Sequence, residues 1–443
     1  MNTDQLHSLV AAAQAAGADA AEAVFAERRS LEVGVRDGRL EEVEREEAAD
    51  VGLRVFVGAR QAVVSGSDRS AAALERMVER AVAMARLAPE DPYAGLADPD
   101  QLALGALLEL DLYDGAEPAP DALEAQALAA EAAAKDIPGV AKSEGGHAGA
   151  ASGRWRLVTS GGFAGEHAAT RYSLSASAIA GEGAAMERGG DGRSTRHLAD
   201  LPAPETIGVE AGRRAVSRVG PRKLSSTTAP VIFENRVATA LMAPLIGAIS
   251  GPSIARGTSF LKDKLGQPVF APEVTIVDDP HRVRGLASTP FDDEGVRNGR
   301  RALVQDGVLT TWLLNTASAR QLGLTTTGHA SRGGAGAPGV STTNLYMQPG
   351  ERDLAGLMRD AGAGVLVTSM FGPSLNANTG DWSVGVQGFW FEDGEVAYPV
   401  SEITVAGNLL ELWLRLAPGS DLELRGWANA PSLLFDAMAV AGK

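Results

Sequence analysis

Residues 31–57 alternate apolar and polar side chains with a period of two: Leu31, Val33 and Val35 in one run, Val51, Leu53, Val55 and Val57 in the next. That period puts alternate side chains on opposite faces of an extended chain. Asp37-Gly38 parts the two runs and signals a two-residue hairpin turn. With the apolar run that ends at residue 66, the pattern predicts a three-stranded antiparallel meander. Residues 4–16 are Ala-rich and amphipathic, a helix with Thr3 as its N-cap and Gly17 as its stop. Leu74, Met77, Val78, Ala81, Val82 and Ala85 share one helical stripe, which predicts a second helix laid on the meander.

The Pro- and Asp-rich stretch 89–100 reads as a loop, residues 119–139 as a helix, and Ala148 to Ser177 as strands again. Residues 181–197 are polar and rich in glycine, a surface loop or hairpin tip by pattern. A helix over 205–220 closes this half, and the pattern changes at Gly220-Pro221. Beyond it come an apolar helix over 237–251 and runs that read as strands at 273–279, 300–315, 364–372, 383–407 and 421–426. Asp306-Gly307 and Asp393-Gly394 supply hairpin turns, and residues 316–323, 352–362 and 408–417 read as helices. The expected class is α+β in two domains. Residues 1–220 form an N-terminal antiparallel sheet with packed helices, and 221–443 a β-rich C-terminal domain with a few helices.

Composition narrows the function. A net charge of -16 over 443 residues argues against nucleic acid and anionic membrane surfaces as partners, because both need a basic face. There is no cysteine, so this chain has no thiolate nucleophile and no Cys-ligated metal. The N-terminal stretch has neither the basic start nor the unbroken apolar core of a signal peptide, and a cytoplasmic location is expected.

The usual chemistry-bearing motifs are missing. His7, His147, His167, His197, His281 and His329 are scattered, and no two lie three to five residues apart. No Gly-x-Ser-x-Gly elbow occurs. Residues 334–339 match Gly-x-Gly-x-x-Gly by letter, but Pro338 sits inside and β-prone residues follow, so a flexible glycine loop is the better reading. The acidic run 41–47 reads as a solvated strand face, and the acidic turn 291–295 needs no ligand in so acidic a chain.

Residues 253–269 and 371–408 stand out. The first holds Arg256, Gly257, Thr258 and Ser259; the second packs Asn376, Asn378, Thr379, Gly380, Asp381 and Ser383 before a strand. Small polar residues and glycines at a strand entrance suit close backbone contact with a peptide or another chain. With the runs "GLASTPFDDEGVRNGRRALVQDGVLTTWLLN" and "TTNLYMQPGE", these stretches resemble the TldD/PmbA family across nearly the whole second half.

The resemblance implies a role. In the TldD branch, a helix just before the Arg-Gly-Thr-Ser segment carries His-Glu-x-x-x-His, which supplies two zinc ligands and a catalytic glutamate, and a distant Cys adds a ligand. Here Met242, Ala243, Pro244, Leu245, Ile246 and Gly247 stand in those places. The chain is therefore similar to the metal-free PmbA/TldE branch, with no cofactor of its own and no catalytic residue. A TldD-like zinc subunit is the implied partner, peptide the implied substrate, and a homodimer an open state of the chain alone. Two other readings stay open: a metal-independent hydrolase using Asp381, Ser383 and a His brought near by folding, and a homodimeric peptide-binding or scaffold protein.

Overall fold

The computed structural model describes residues 1–443, the side chain of Ala184 excepted. Helix α1 (Thr3–Ala15) is capped by Asn2 rather than Thr3. The Asn2 side chain accepts from the Gln5 amide, and the Gln5 side chain accepts from the Asn2 amide, a reciprocal pair that a cap at Thr3 would not form. The meander follows as β1 (Ala20–Arg36), β2 (Arg39–Val57) and β3 (Arg60–Gly66), with α2 (Ala71–Leu87) after it. Asp37 and Gly38 hold φ of 51° and 73°, the left-handed pair that matches the twist of a tight hairpin.

Next come α3 (Pro120–Lys135), β4 (Val140–Thr159), β5 (Ala164–Ala180), β6 (Glu187–Thr195) and α4 (Pro204–Ser217). The meander is half of a larger antiparallel sheet, ordered β3-β2-β1-β4-β5-β6. Strand β6 lies within the stretch expected to be a loop. A Cβ on Gly189 would sit 2.1 Å from the Ala215 nitrogen, so glycine is what lets this strand pass beneath α4.

Alternation divides the sheet's two faces. Ala21, Ala23, Phe25, Val51, Leu53 and Val55 pack under α1 and α2, and Val33, Val35, Leu174, Ala176 and Ala178 under α3 and α4. The opposite face meets the C-terminal half: Val24 and Leu157 join Phe163, Phe291 and Val296 in a separate cluster.

The C-terminal half runs through β7 (Thr227–Phe233), α5 (Asn235–Ala238), α6 (Met242–Ala248), α7 (Gly251–Ala255), β8 (Ile276–Asp278), β9 (Arg301–Gln305) and β10 (Val308–Leu309). Then follow α8 (Thr316–Gln321), β11 (Ala330–Ser331), β12 (Gly339–Val340), β13 (Leu345–Met347), α9 (Leu354–Ala361) and β14 (Ala363–Leu375). The chain ends with β15 (Asp381–Glu392), β16 (Glu395–Asn408), α10 (Leu409–Trp413), β17 (Leu416–Pro418), β18 (Ala428–Asn429) and β19 (Leu433–Ala441). One sheet is ordered β16-β15-β14-β7-β19-β17, and β16 pairs with β19 as well. That extra pairing closes β7, β14, β15, β16 and β19 into a ring around Phe233, Trp382 and Phe435. A second sheet, β10-β9-β8-β13-β18, flanks it.

Three expectations are corrected here. Residues 421–426 form no strand; the Asn429 Oδ1 accepts from the Arg425 and Gly426 amides and holds them in a turn. Strands β7 and β19 escape a pattern reading because each carries a run buried on both faces, Val231 to Phe233 and Leu433 to Phe435, where alternation is lost. The apolar helix 237–251 is broken: α5 passes through a 3₁₀ turn at Thr239–Leu241 before α6. Pro244 has no N–H for the Ala240 carbonyl and crowds the preceding turn, which tightens instead.

Candidate functional site

A cleft of about 680 Å³ separates the end of the first sheet from the C-terminal half. One wall is β5 and β6, through Ser175, Ser177, Gly190 and Asp191. The other is the broken helix, through Arg236, Thr239, Ala240 and Ala243, with the turn at Glu423 to Ala428 closing one end. Trp427 stands half exposed at that end.

The floor of the cleft is ionic. The buried Asp191 carboxylate receives Arg236 at 2.6 Å, Arg425 at 3.4 Å and Arg193 at 3.6 Å. Arg236 also reaches Glu210 at 3.3 Å, and Arg214 pairs with Glu210 at 2.9 Å and Glu234 at 2.5 Å. Burial works against the Arg236 charge and lowers its pKa, and neighbouring Arg214 adds to this while Asp191 opposes it. The more exposed Glu423 carboxylate bridges Arg425, at 2.5 Å, and Arg193, at 3.3 Å.

Of the helix positions that the family resemblance marks, Met242 and Leu245 point into the core. Ala243 and Gly247 are exposed, Pro244 and Ile246 half-buried, and a Cβ added to Gly247 would meet open space. The two polar stretches come together beside this helix. The Phe260 amide donates to the Ala377 carbonyl at 2.9 Å, and Gly380 lies against the Phe260 ring. Arg256, Gly257 and Thr258 are exposed, and Gly257 takes a φ of 69°. Ser259 is buried, its hydroxyl donating to the Ala248 carbonyl at 2.6 Å and accepting from the Leu261 amide.

Residues 376–381 form a self-satisfied turn. The Asn376 side chain accepts from the Asn378 amide, Thr379 donates to Asp381 at 2.7 Å, and Asn408 donates to both the Thr379 carbonyl and Asp381. These bonds hold the exposed Asp381 carboxyl below its usual range, Thr379 contributing most. Ser383 sits half-buried in the β14–β15 ladder opposite Ser374. Neither this turn nor Arg256 to Ser259 lines the cleft. Arg193, Asp191, Arg236, Glu423 and Arg425 were invisible as a group, since they lie on segments distant in sequence that pattern alone read as loop, helix start and strand.

Comparison with known proteins gives this arrangement its class. The descriptions PmbA/TldA metallopeptidase domain 1, central domain and C-terminal domain match residues 21–85, 113–219 and 226–442. The fold is that of a metallopeptidase-type protein, and the chain belongs to the TldD/PmbA family. It is similar to Metalloprotease PmbA of Escherichia coli O157:H7, 40% identical over 96% of this chain and 93% of that protein. A PmbA homolog of Haemophilus influenzae is 38% identical over 96% of this chain and 93% of its own. A crystal structure from Bacteroides thetaiotaomicron, described as a modulator of DNA gyrase, superposes with a TM-score of 0.91 at 28% identity, covering 100% of this chain and 99% of that one. TldE from Thermococcus kodakarensis shares the fold, with a TM-score of 0.88 at 21% identity over 98% of this chain and 99% of that one.

The metallopeptidase description implies a metal, and the residues at the cleft do not fit one. The helix lines it with Ala240 and Ala243, which carry no donor, and the neighbouring Asp191 is saturated by guanidinium groups. Among the described residues no group of three His, Asp or Glu side chains is placed to hold a metal ion. No helix among them is long and apolar enough to cross a membrane.

Proposed function

We propose that this chain is the metal-free subunit of a two-component cytoplasmic metallopeptidase, pairing with a TldD-like subunit that carries the zinc. The observation that carries this reading is the broken helix at 236–247, whose first half lines the cleft. A backbone that keeps the family's fold carries Met242, Ala243 and Gly247 where a metallopeptidase needs two imidazoles and a carboxylate on one rigid element, and Met242 is turned into the core. What remains there is shape and charge, which suit holding an extended peptide rather than cleaving it. The reading of Asp381 and Ser383 as a hydrolase pair gains no support, because Asp381 is committed to Thr379 and Asn408.

The test is to purify the chain alone and co-expressed with a His-Glu-x-x-x-His subunit, then measure zinc per chain and peptide cleavage. Zinc and cleavage in the mixed preparation only are expected. Cleavage by this chain alone in excess chelator would overturn the reading.

A further inference from the structure

We infer that the cleft between β6 and the broken helix recognises a carboxylate on an extended peptide, and that Glu423 occupies that carboxylate's place in the free chain. The inference rests on the reading of the chain as a peptide-holding subunit and adds the chemistry that the cleft selects.

Three observations carry it. First, β6 is the edge strand of its sheet, with β5 as its one partner, and it borders the cleft. The carbonyls of Arg188 and Gly192 accept from the Arg218 and Arg193 side chains, not from another strand. An edge of glycine-rich sequence, with Gly190 and Gly192 at the wall, admits a second backbone at close range.

Second, the cations have different keepers. Arg236 is held by Asp191 at 2.6 Å and Glu210 at 3.3 Å. Arg193 and Arg425 meet Asp191 only at 3.6 Å and 3.4 Å, and their closer carboxylate is Glu423. Planar guanidinium pairs of this kind take a carboxylate in a defined orientation.

Third, Glu423 is the replaceable member. Its side chain is 48% exposed, against 5% for Asp191, and it sits two residues from Arg425 on a turn outside any strand. An exposed ion pair contributes little, because water competes for both partners. A peptide carboxylate entering along β6 would meet the same two guanidinium groups and release Glu423 to solvent. Trp427, half exposed at the same end, offers an apolar surface beside them.

The carboxylate has two sources, an acidic side chain or a free C-terminus. Binding is measured by fluorescence anisotropy on the purified chain and on its complex with the zinc subunit. Three labelled peptides of one extended, Ala/Ser-rich sequence are used: one with a single Glu and an amidated end, one neutral with a free C-terminus, and one neutral and amidated.

The neutral amidated peptide is expected to bind weakest. Glu423→Gln should tighten the carboxylate-bearing peptides about fivefold, by removing the internal competitor. Arg425→Gln and, independently, Arg193→Gln should bring them down to the level of the neutral peptide. Which carboxylate peptide responds identifies the source. Equal binding of all three peptides, or a carboxylate preference that survives both arginine variants, would sink the inference. The two readings fail separately. A complex that forms and cleaves without carboxylate preference removes this inference alone, and carboxylate binding by a chain that pairs with no zinc subunit removes the partner reading alone.

Discussion

Burial sets opposite pH responses at two side chains, Asp293 and His167. Burial pushes the Asp293 carboxyl up to about 6, with the Arg332 amide and guanidinium partly offsetting it. Burial pushes His167, packed against Trp155 and Phe291, down to about 4, and the Arg196 charge helps. The signs follow from linkage. An acid raised in the folded state contributes stability at low pH that is lost as pH rises from about 4 to about 6. A base lowered in the folded state contributes stability at neutral pH that is lost as pH falls from about 6.5 to about 4. Urea unfolding of the parent, Asp293→Asn and His167→Gln across pH 4–7 separates them. Relative to the parent, Asp293→Asn should become more favourable as pH rises, and His167→Gln more favourable as pH falls. Parallel curves for all three proteins would refute both assignments.

At the scale of elements, the broken helix shows how much of the candidate site was legible. The absence of His, Glu and Cys at 242–247 is a fact of sequence, and with the family resemblance it pointed to an element without metal chemistry. Orientation was not legible. Pro244 forces a tight turn before α6, and the resulting phase sends Met242 into the core while Ala243 and Gly247 face out. Grafting Met242→His, Ala243→Glu and Gly247→His should therefore produce no zinc site. The buried imidazole at 242 should cost about 2–4 kcal/mol by urea unfolding, through lost packing and an unsatisfied polar group. Stoichiometric zinc by elemental analysis in the triple variant would contradict the phase described here. The polar turn 376–381 was legible as unusual, but its groups satisfy one another, and only the fold shows Phe260 resting on it.

Across the whole molecule, the two halves are joined by charges that neither could bury alone. Even positions of β1 and β2 look like a solvent face, yet Glu22 and Arg54 are buried beneath the C-terminal half. Arg332 reaches Glu22 at 2.5 Å, and Arg54 lies 3.3 Å from Glu22 and 3.7 Å from Glu294. Burial opposes the Glu22 charge, but Arg332 and Arg54 outweigh it and lower its pKa. The acidic turn at 291–295 supplies the rest. Asp292 accepts from the Glu294, Val296 and Ala330 amides, and burial followed by Glu294 repulsion raises its pKa far above the carboxylate range. The glycine loop at 334–339 is seated, not free: a Cβ on Gly52 would lie 2.3 Å from the Ala335 carbonyl oxygen. Removing one partner of a buried pair strands the other, so Glu22→Gln should cost about 3–5 kcal/mol. Adding Arg332→Met should recover a substantial part of that loss. Urea unfolding is the measurement, and additive losses in the double variant would show that the pair is not the coupling.

By itself the sequence determined the first-sheet meander, its hairpin at Asp37-Gly38, most helices, the α+β class and the lack of metal ligands at 242–247. These are local matters: a period of two or 3.6, a turn that needs left-handed backbone, the identity of a side chain. Tertiary structure alone decided that residues 187–195 are a strand, that β7 and β19 close a ring, and that Asp191, Arg236, Glu423 and Arg425 share one cleft with Arg193 paired to two of them. It also decided that Glu22 and Arg54, at one end of the polar face of β1 and β2, are interior, while Arg28 and Glu46 farther along that face stay exposed. Each of these depends on what packs against a segment from far along the chain, and a pattern of neighbours carries no record of that.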